Sequence, residues 1–198
     1  PGDPDNFYGK NQYGYWRTFD GGASYDHGNY FVGLNENTYG MHSRFPMRFN
    51  PVNSNSLYVA VDNVWKSTDG GDSLHPISAF VNTSAGGFLF VSPNDTNTIF
   101  TRYARTHNEG LSWTPINKPV YAVDPDEFNK VWSVQSNQNY YNIWFSIDTG
   151  NTWQEIPSYD LNFNSSTINM ECLNDVNDGI FLTIGSMIYY RDNTLSNW

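Results

Sequence analysis

Apolar residues along this chain come in short runs broken by clusters of Asn, Asp, Ser, Gly or Pro, the pattern of β-strands joined by turns. The pattern repeats. Phe49-Asn-Pro-Val-Asn-Ser-Asn-Ser-Leu-Tyr58, Val91-Ser-Pro-Asn-Asp-Thr-Asn-Thr-Ile-Phe100 and Val123-Asp-Pro-Asp-Glu-Phe-Asn-Lys-Val-Trp132 each pass through a Pro-containing turn into an aliphatic–aromatic pair, and residues 174–179 fill the same slot once more. Each is followed by a second unit, such as Val64-Trp-Lys-Ser-Thr-Asp-Gly-Gly-Asp-Ser-Leu74 or Ile143-Trp-Phe-Ser-Ile-Asp-Thr-Gly-Asn-Thr-Trp153, and a further copy stands near the start.

The second unit occurs five times with an acid or amide at Asp20, Asp69, Asn108, Asp148 and Asp192, giving spacings of 49, 39, 40 and 44 residues. Two positions later stand Gly22, Gly71, Gly110, Gly150 and Thr194, and two beyond those a hydroxyl at Ser24, Ser73, Ser112, Thr152 and Ser196. Chemistry accounts for this frame. An Asp or Asn side chain accepts hydrogen bonds from main-chain N–H groups a few residues ahead and so closes a tight turn, for which glycine supplies positive φ. The aromatic that follows, Trp113 or Trp153, is placed to fill the gap between neighbouring sheets.

A repeat of about 43 residues suits one four-stranded propeller blade. The predicted fold is an all-β propeller of four-stranded antiparallel blades with acidic turns, about four to five blades over residues 1–198. For the second blade the strands are expected at 43–49, 56–61, 64–68 and 75–80, running from axis to rim. Too few residues precede the first acidic turn for a full set of strands, and the last copy lacks its outermost strand. The expectation is therefore an incomplete propeller, completed by blades elsewhere in the protein or on another chain.

Ser146-Ile-Asp-Thr-Gly-Asn-Thr-Trp153 matches Ser-x-Asp-x-Gly-x-Thr-Trp at every position. In this the sequence resembles the Asp-box (bacterial neuraminidase repeat) propellers. The Pro-centred turn followed by Trp65-Lys-Ser-Thr-Asp-Gly-Gly71 is most similar to the repeats of sortilin-like receptors and of xyloglucanase-type (family 74) glycoside hydrolases. The resemblance implies that ligands bind on the face opposite the acidic turns, through loops at 35–41, 62–63, 81–86, 117–119, 136–141, 157–164 and 185–186. Two of these, 136–141 and 157–164, are long and rich in amides and aromatics, a composition that suits sugars. The candidate ligand-binding residues are Tyr39, Asn137, Gln138, Tyr140, Tyr159 and Asp160.

A glycosidase needs a pair of carboxylates. On that face the candidates are Glu36, Asp62 and Asp160, with no catalytic motif around them. A sialidase would need an arginine cluster, but only Arg44-Phe-Pro46 faintly matches that family's element, and it follows the first acidic turn. The expected function is an extracellular recognition module binding a glycan or peptide, with a glycoside hydrolase segment as the alternative. By family habit the address is secreted or cell-surface.

Composition narrows the remaining classes. Aromatic residues make up 17% of the chain, in keeping with strands, and 38% hydrophobic residues suffice for a packed core. The net charge of −10 opposes binding to nucleic acid or anionic lipid, and no apolar stretch reaches the length of a membrane span. His27, His42, His75 and His107 lack metal-ligand spacing, and the acidic residues of 175–179 do not fit a calcium loop, so neither a metal nor a cofactor is expected. The one cysteine, Cys172, is expected to be a buried strand thiol.

Overall fold

The computed structural model describes residues 5–11, 14–26, 46–60, 63–79, 88–137, 140–156, 167–173 and 179–192, and the regular elements among them are all β-strands. They form five antiparallel sheets in chain order. Blade 1 contributes β1 (Phe7–Asn11) and β2 (Gly14–Thr18). Blade 2 contains β3 (Met47–Phe49), β4 (Leu57–Ala60), β5 (Val64–Ser67) and β6 (His75–Pro76). Blade 3 contains β7 (Leu89–Val91), β8 (Ile99–Thr101), β9 (Ala104–Thr106) and β10 (Thr114–Pro115). Blade 4 contains β11 (Val120–Val123), β12 (Val131–Asn137), β13 (Tyr140–Ser146) and β14 (Gln154–Ile156). Blade 5 contributes β15 (Ile168–Cys172), β16 (Ile180–Ile184) and β17 (Met187–Arg191). This is the arrangement of a β-propeller.

In blades 2 to 4 the start of the second strand is buried on both sides rather than on alternate positions, whereas β16 of blade 5 alternates and leaves Phe181 exposed. In β4, Leu57 and Val59 join a cluster that includes Tyr8 of blade 1, whereas Tyr58 and Ala60 join one with Leu89 and Ile99 of blade 3. The alternation continues around the axis. Phe100 packs with Val120 and Val131 of blade 4, and Trp132 and Val134 pack with Met170, Ile180 and Leu182 of blade 5. Every such cluster is shared between consecutive sheets, and a fully buried side chain of this size contributes about 1.5–3 kcal/mol.

The outer strands are shorter than expected. β6 and β10 end at Pro76 and Pro115, which have no N–H to extend the ladder, although Ile77 and Ile116 still donate to Val64 and Tyr103 at 2.8 and 2.7 Å. Cys172 lies on β15 as expected but is half-buried rather than buried.

The first four acidic turns share one hydrogen-bond plan. The hydroxyl two residues before the acid or amide (Thr18, Ser67, Thr106 or Ser146) donates to it at 2.6–2.8 Å and accepts the glycine N–H at 2.8–2.9 Å. The acid or amide then accepts the N–H four residues ahead at 2.8–3.0 Å. In the fifth copy the Tyr190 phenol takes the hydroxyl's place and donates to Asp192 at 3.1 Å; its later positions, Thr194 and Ser196, lie outside the described residues.

The Pro-containing turns lie beside the acidic ones, so both emerge on one face. In blades 2 to 4 the residue after the acid or amide donates to the carbonyl of an Asn four positions past the proline. Gly70 reaches Asn55 at 2.8 Å, Glu109 reaches Asn97 at 3.0 Å and Thr149 reaches Asn129 at 2.8 Å. Adjacent blades are also latched by a cation three residues before the acid or amide. Arg17 donates to Gly70 O at 2.8 Å and pairs with Asp72, Lys66 pairs with Glu109 at 2.9 Å, and Arg105 donates to Thr149 O at 2.8 Å and to Asn151. Phe145 and Tyr189 hold the equivalent positions in blades 4 and 5.

Candidate functional site

The face away from the acidic turns carries a cleft of about 410 Å³ at the junction of blades 3, 4 and 5. Its polar lining comes from Arg102 and Tyr103 in the β8–β9 turn, Tyr121 on β11, Gln135 and Ser136 on β12, and Tyr141 on β13. Pro119, Val134 and Ile168 complete the wall.

Local structure explains why these side chains converge. Thr101 pins the β8–β9 turn by exchanging hydrogen bonds with the main chain of Ala104, both at 3.2 Å, leaving Arg102 and Tyr103 at its tip. The Arg102 carbonyl accepts from Val120 N at 2.8 Å, which ties that turn to the start of β11. The β11–β12 register shifts between Val120 and Ala122, so Tyr121 sits at a bulge that turns its side chain out of strict alternation. Tyr121 and Ala122 accordingly pack into the same cluster although they are adjacent.

The Arg102 guanidinium lies 5.1 Å from the Phe88 ring centroid and 5.6 Å from those of Tyr103 and Tyr121. It donates from Nη2 to the Tyr121 hydroxyl at 3.3 Å. Burial pushes the Tyr121 pKa up, against the lowering influence of Arg102, so the phenol remains a neutral donor. At the rim, Lys118 Nζ stands 3.8 Å from the Trp144 ring centroid and donates to Gln135 Oε1 at 2.8 Å. Burial lowers the Lys118 pKa while Glu155 raises it, and Glu155 is itself bonded by the Asn142 amide at 2.5 Å. Flat aromatic surfaces beside a guanidinium and an amide form a surface on which a sugar ring can stack and be hydrogen-bonded. No carboxylate is among the described residues lining the cleft, and no cluster of potential metal ligands occurs among the described residues.

Of the residues singled out from sequence, Asn137 and Tyr140 face each other in register at the end of β12 and β13, next to the cleft-lining pair Ser136 and Tyr141. Residues 136, 137, 140 and 141, expected in a loop, thus belong to paired strands, because the β-forming run from Tyr140 to Phe145 carries the ladder outward. Gln138, Tyr39, Tyr159, Glu36, Asp62 and Asp160 lie outside the described residues. Sequence reasoning missed Arg102 and Tyr121. The open-face loops expected from the repeat omit residues 102–103, where the β8–β9 turn lies. The bulge at Tyr121 had no sequence signal.

A second cavity, about 400 Å³, opens on the acidic-turn side between blades 4 and 5, against Lys130, Trp132, Phe145 and Arg191. It occupies the place where the other junctions carry their cation latch.

The sheets define an all-β propeller, and comparisons with known proteins agree on that fold. The chain is 24% identical over 144 residues to a xyloglucanase of Hypocrea jecorina (strain QM6a), a match spanning 71% of this chain and 16% of that protein. The solved structure of a GH74 enzyme from Niastella koreensis superposes with a TM-score of 0.66 at 19% identity over 93% of this chain. The GH74 xyloglucanase of Xanthomonas campestris gives 0.65 at 15% identity over 98%. The chain spans about a third of the length of these two structures, 34% and 36%. No family model matches it.

Proposed function

We propose that the chain is a segment of a glycoside-hydrolase-like propeller, built of Asp-box blades similar to those of xyloglucanases, whose open-face cleft holds a stretch of glycan. The observation that carries this is the cleft itself, where Tyr103, Tyr121, Tyr141 and Gln135 gather around Arg102 on the face opposite the acidic turns. The similarity to xyloglucanases supports it. Residues 1–198 then supply about four to five blades of a single propeller, completed by further blades, and the protein acts outside the cell on polysaccharide. Asn137, Gln138, Tyr140, Tyr39, Tyr159 and Asp160 are the further candidates for glycan contact in this reading. Hydrolysis would draw its acid and base from Glu36, Asp62 and Asp160 or from carboxylates on the completing blades, 5–10 Å apart.

Titration of the chain with xyloglucan oligosaccharides tests the proposal. Tyr103→Ala and Gln135→Ala should each weaken binding by about tenfold, or about 1.4 kcal/mol. Unchanged affinity in both variants, or no binding by the parent chain, would exclude this cleft as the glycan site. Release of reducing ends that disappears in Asp62→Asn or Asp160→Asn would assign hydrolysis to this segment.

A further inference from the structure

Gln135 lines the cleft with an amide whose two ends are chemically opposite, an acceptor oxygen and a donor nitrogen. A neighbour at the rim decides which end a ligand meets. Lys118 Nζ donates to Gln135 Oε1 at 2.8 Å. An ammonium has donors and no acceptor, so only the oxygen end of the amide can face it, and the nitrogen end is left for the ligand. Lys118 is itself held in place before it reaches Gln135. It lies in the β10–β11 loop, where Ile116 N and Val120 N donate to the Tyr103 and Arg102 carbonyls at 2.7 and 2.8 Å. Pro119 biases the residue before it toward extended backbone. The ammonium then lies 3.8 Å from the centroid of the Trp144 ring on β13. Glu155, paired in register with Trp144, adds a favourable charge, and Asn142, paired with Gln135, donates to Glu155 at 2.5 Å. Without Lys118 the Gln135 amide would be free to turn either end toward the cleft.

Resting on the glycan assignment above, we propose that Lys118 is a positioning residue of this cleft, fixing the Gln135 amide so that Nε2 donates to an acceptor oxygen of the sugar. That acceptor is a hydroxyl, ring or glycosidic oxygen, and the lysine does not touch the ligand. Lys118 raises affinity by preorganisation, because the unproductive amide orientation is removed before the ligand arrives.

The test is calorimetric titration of the full chain and its variants with xyloglucan oligosaccharides. Lys118→Met keeps an apolar stem over Trp144 and removes the ammonium, and it should weaken binding about threefold to tenfold. Lys118→Arg, which keeps a cationic donor that stacks on an aromatic ring, should recover most of that loss. In a Gln135→Ala background Lys118→Met should have no further effect, since its action passes through the amide. Gln135→Glu keeps an acceptor for Lys118 but has no donor, and it should bind as weakly as Gln135→Ala. Thermal unfolding of each variant establishes that it is folded, and Gln135→Glu tests the orientation without altering Lys118. Equal losses from Lys118→Met with and without Gln135 would mean that the lysine meets the ligand itself, and overturn the proposal. Parent affinity in Lys118→Met or in Gln135→Glu, or no recovery by arginine, overturns it as well. Each of these results leaves the glycan assignment standing, whereas failure of the parent chain to bind the oligosaccharides overturns both.

Discussion

At the scale of single residues, the acidic turns contain their own controls. Asn108 keeps the frame of its Asp counterparts but reverses one bond, its Nδ2 donating to Ser112 Oγ where Asp148 accepts from Thr152 Oγ1 at 2.7 Å. An amide is therefore tolerated, and Asp148→Asn should cost about 0.5–1.5 kcal/mol at neutral pH. Asp148→Ala, which strips the turn of its acceptor, should cost about 2–3 kcal/mol. Desolvation, the largest single influence, raises the Asp148 carboxyl, but hydrogen bonds from Ser146, Thr152 and Asn151 together outweigh it and hold the pKa at about 2, below its ordinary 3.8. Asp20 is lowered to about 2, mainly by its bonds to Ser24, and Asp69 is also lowered. Because folded-state values are depressed, this stability is present above about pH 4 and is lost as pH falls toward 2. Asp148→Asn should flatten that acid limb in thermal melts, and an unchanged pH profile would refute the role of the carboxylate. Glycine supplies a second contrast. Gly110 and Gly150 have φ of 93° and 87°, but a Cβ on Gly110 would lie 2.6 Å from the Ile77 carbonyl oxygen, whereas one on Gly150 would meet the Ile116 side chain at 2.9 Å. Gly110→Ala should cost about 2–4 kcal/mol and Gly150→Ala distinctly less; equal midpoints in urea would show that φ alone decides.

At the scale of elements, the latches join one blade's third strand to the next blade's turn. Arg105 is 5% exposed and donates to Thr149 O and Asn151 Oδ1 across the junction of blades 3 and 4. Burial lowers its pKa and Asp148 raises it, yet a guanidinium stays charged, so its removal leaves two acceptors unsatisfied. Arg105→Ala should lower stability by about 2–4 kcal/mol, and Arg105→Lys, which keeps charge but not the fork, should recover only part of that. Full recovery by lysine would mean that charge alone matters. The elements were legible in sequence because turn chemistry is local: Ser73 bonds to Asp69 and Gly71 to Ser67, each across four positions of the chain. The latch was not legible, because Arg17, Lys66 and Arg105 read as ordinary exposed strand cations until the next blade supplies their acceptors. The cleft was legible only in part for the same reason. Loops on the open face could be listed from the repeat, but the meeting of Arg102 with Tyr121 depends on one bulge and on the angle between two sheets.

At the scale of the whole molecule, sharing of core between sheets governs how the chain unfolds. Leu57 and Val59 belong to the junction of blades 1 and 2, Tyr58 and Ile99 to that of blades 2 and 3, and Phe100 and Val131 to that of blades 3 and 4. A blade that detached would expose one apolar face of its neighbour, so partial unfolding removes stabilisation from two interfaces to free one unit. The expected consequence is a single transition across blades 2 to 4, where Trp65, Trp113 and Trp153 report locally on successive blades. Denaturation followed by tryptophan fluorescence and by far-ultraviolet circular dichroism should coincide, and the amides of β4, β8 and β12 should exchange with one common free energy. Arg105→Ala should shift that transition to lower denaturant without splitting it, since Phe100, Ile116, Val120 and Val131 still bridge the same junction. Two separated transitions in the parent chain would show that the apolar junctions are too weak to couple the blades. Splitting confined to Arg105→Ala would instead assign that coupling to the polar latch.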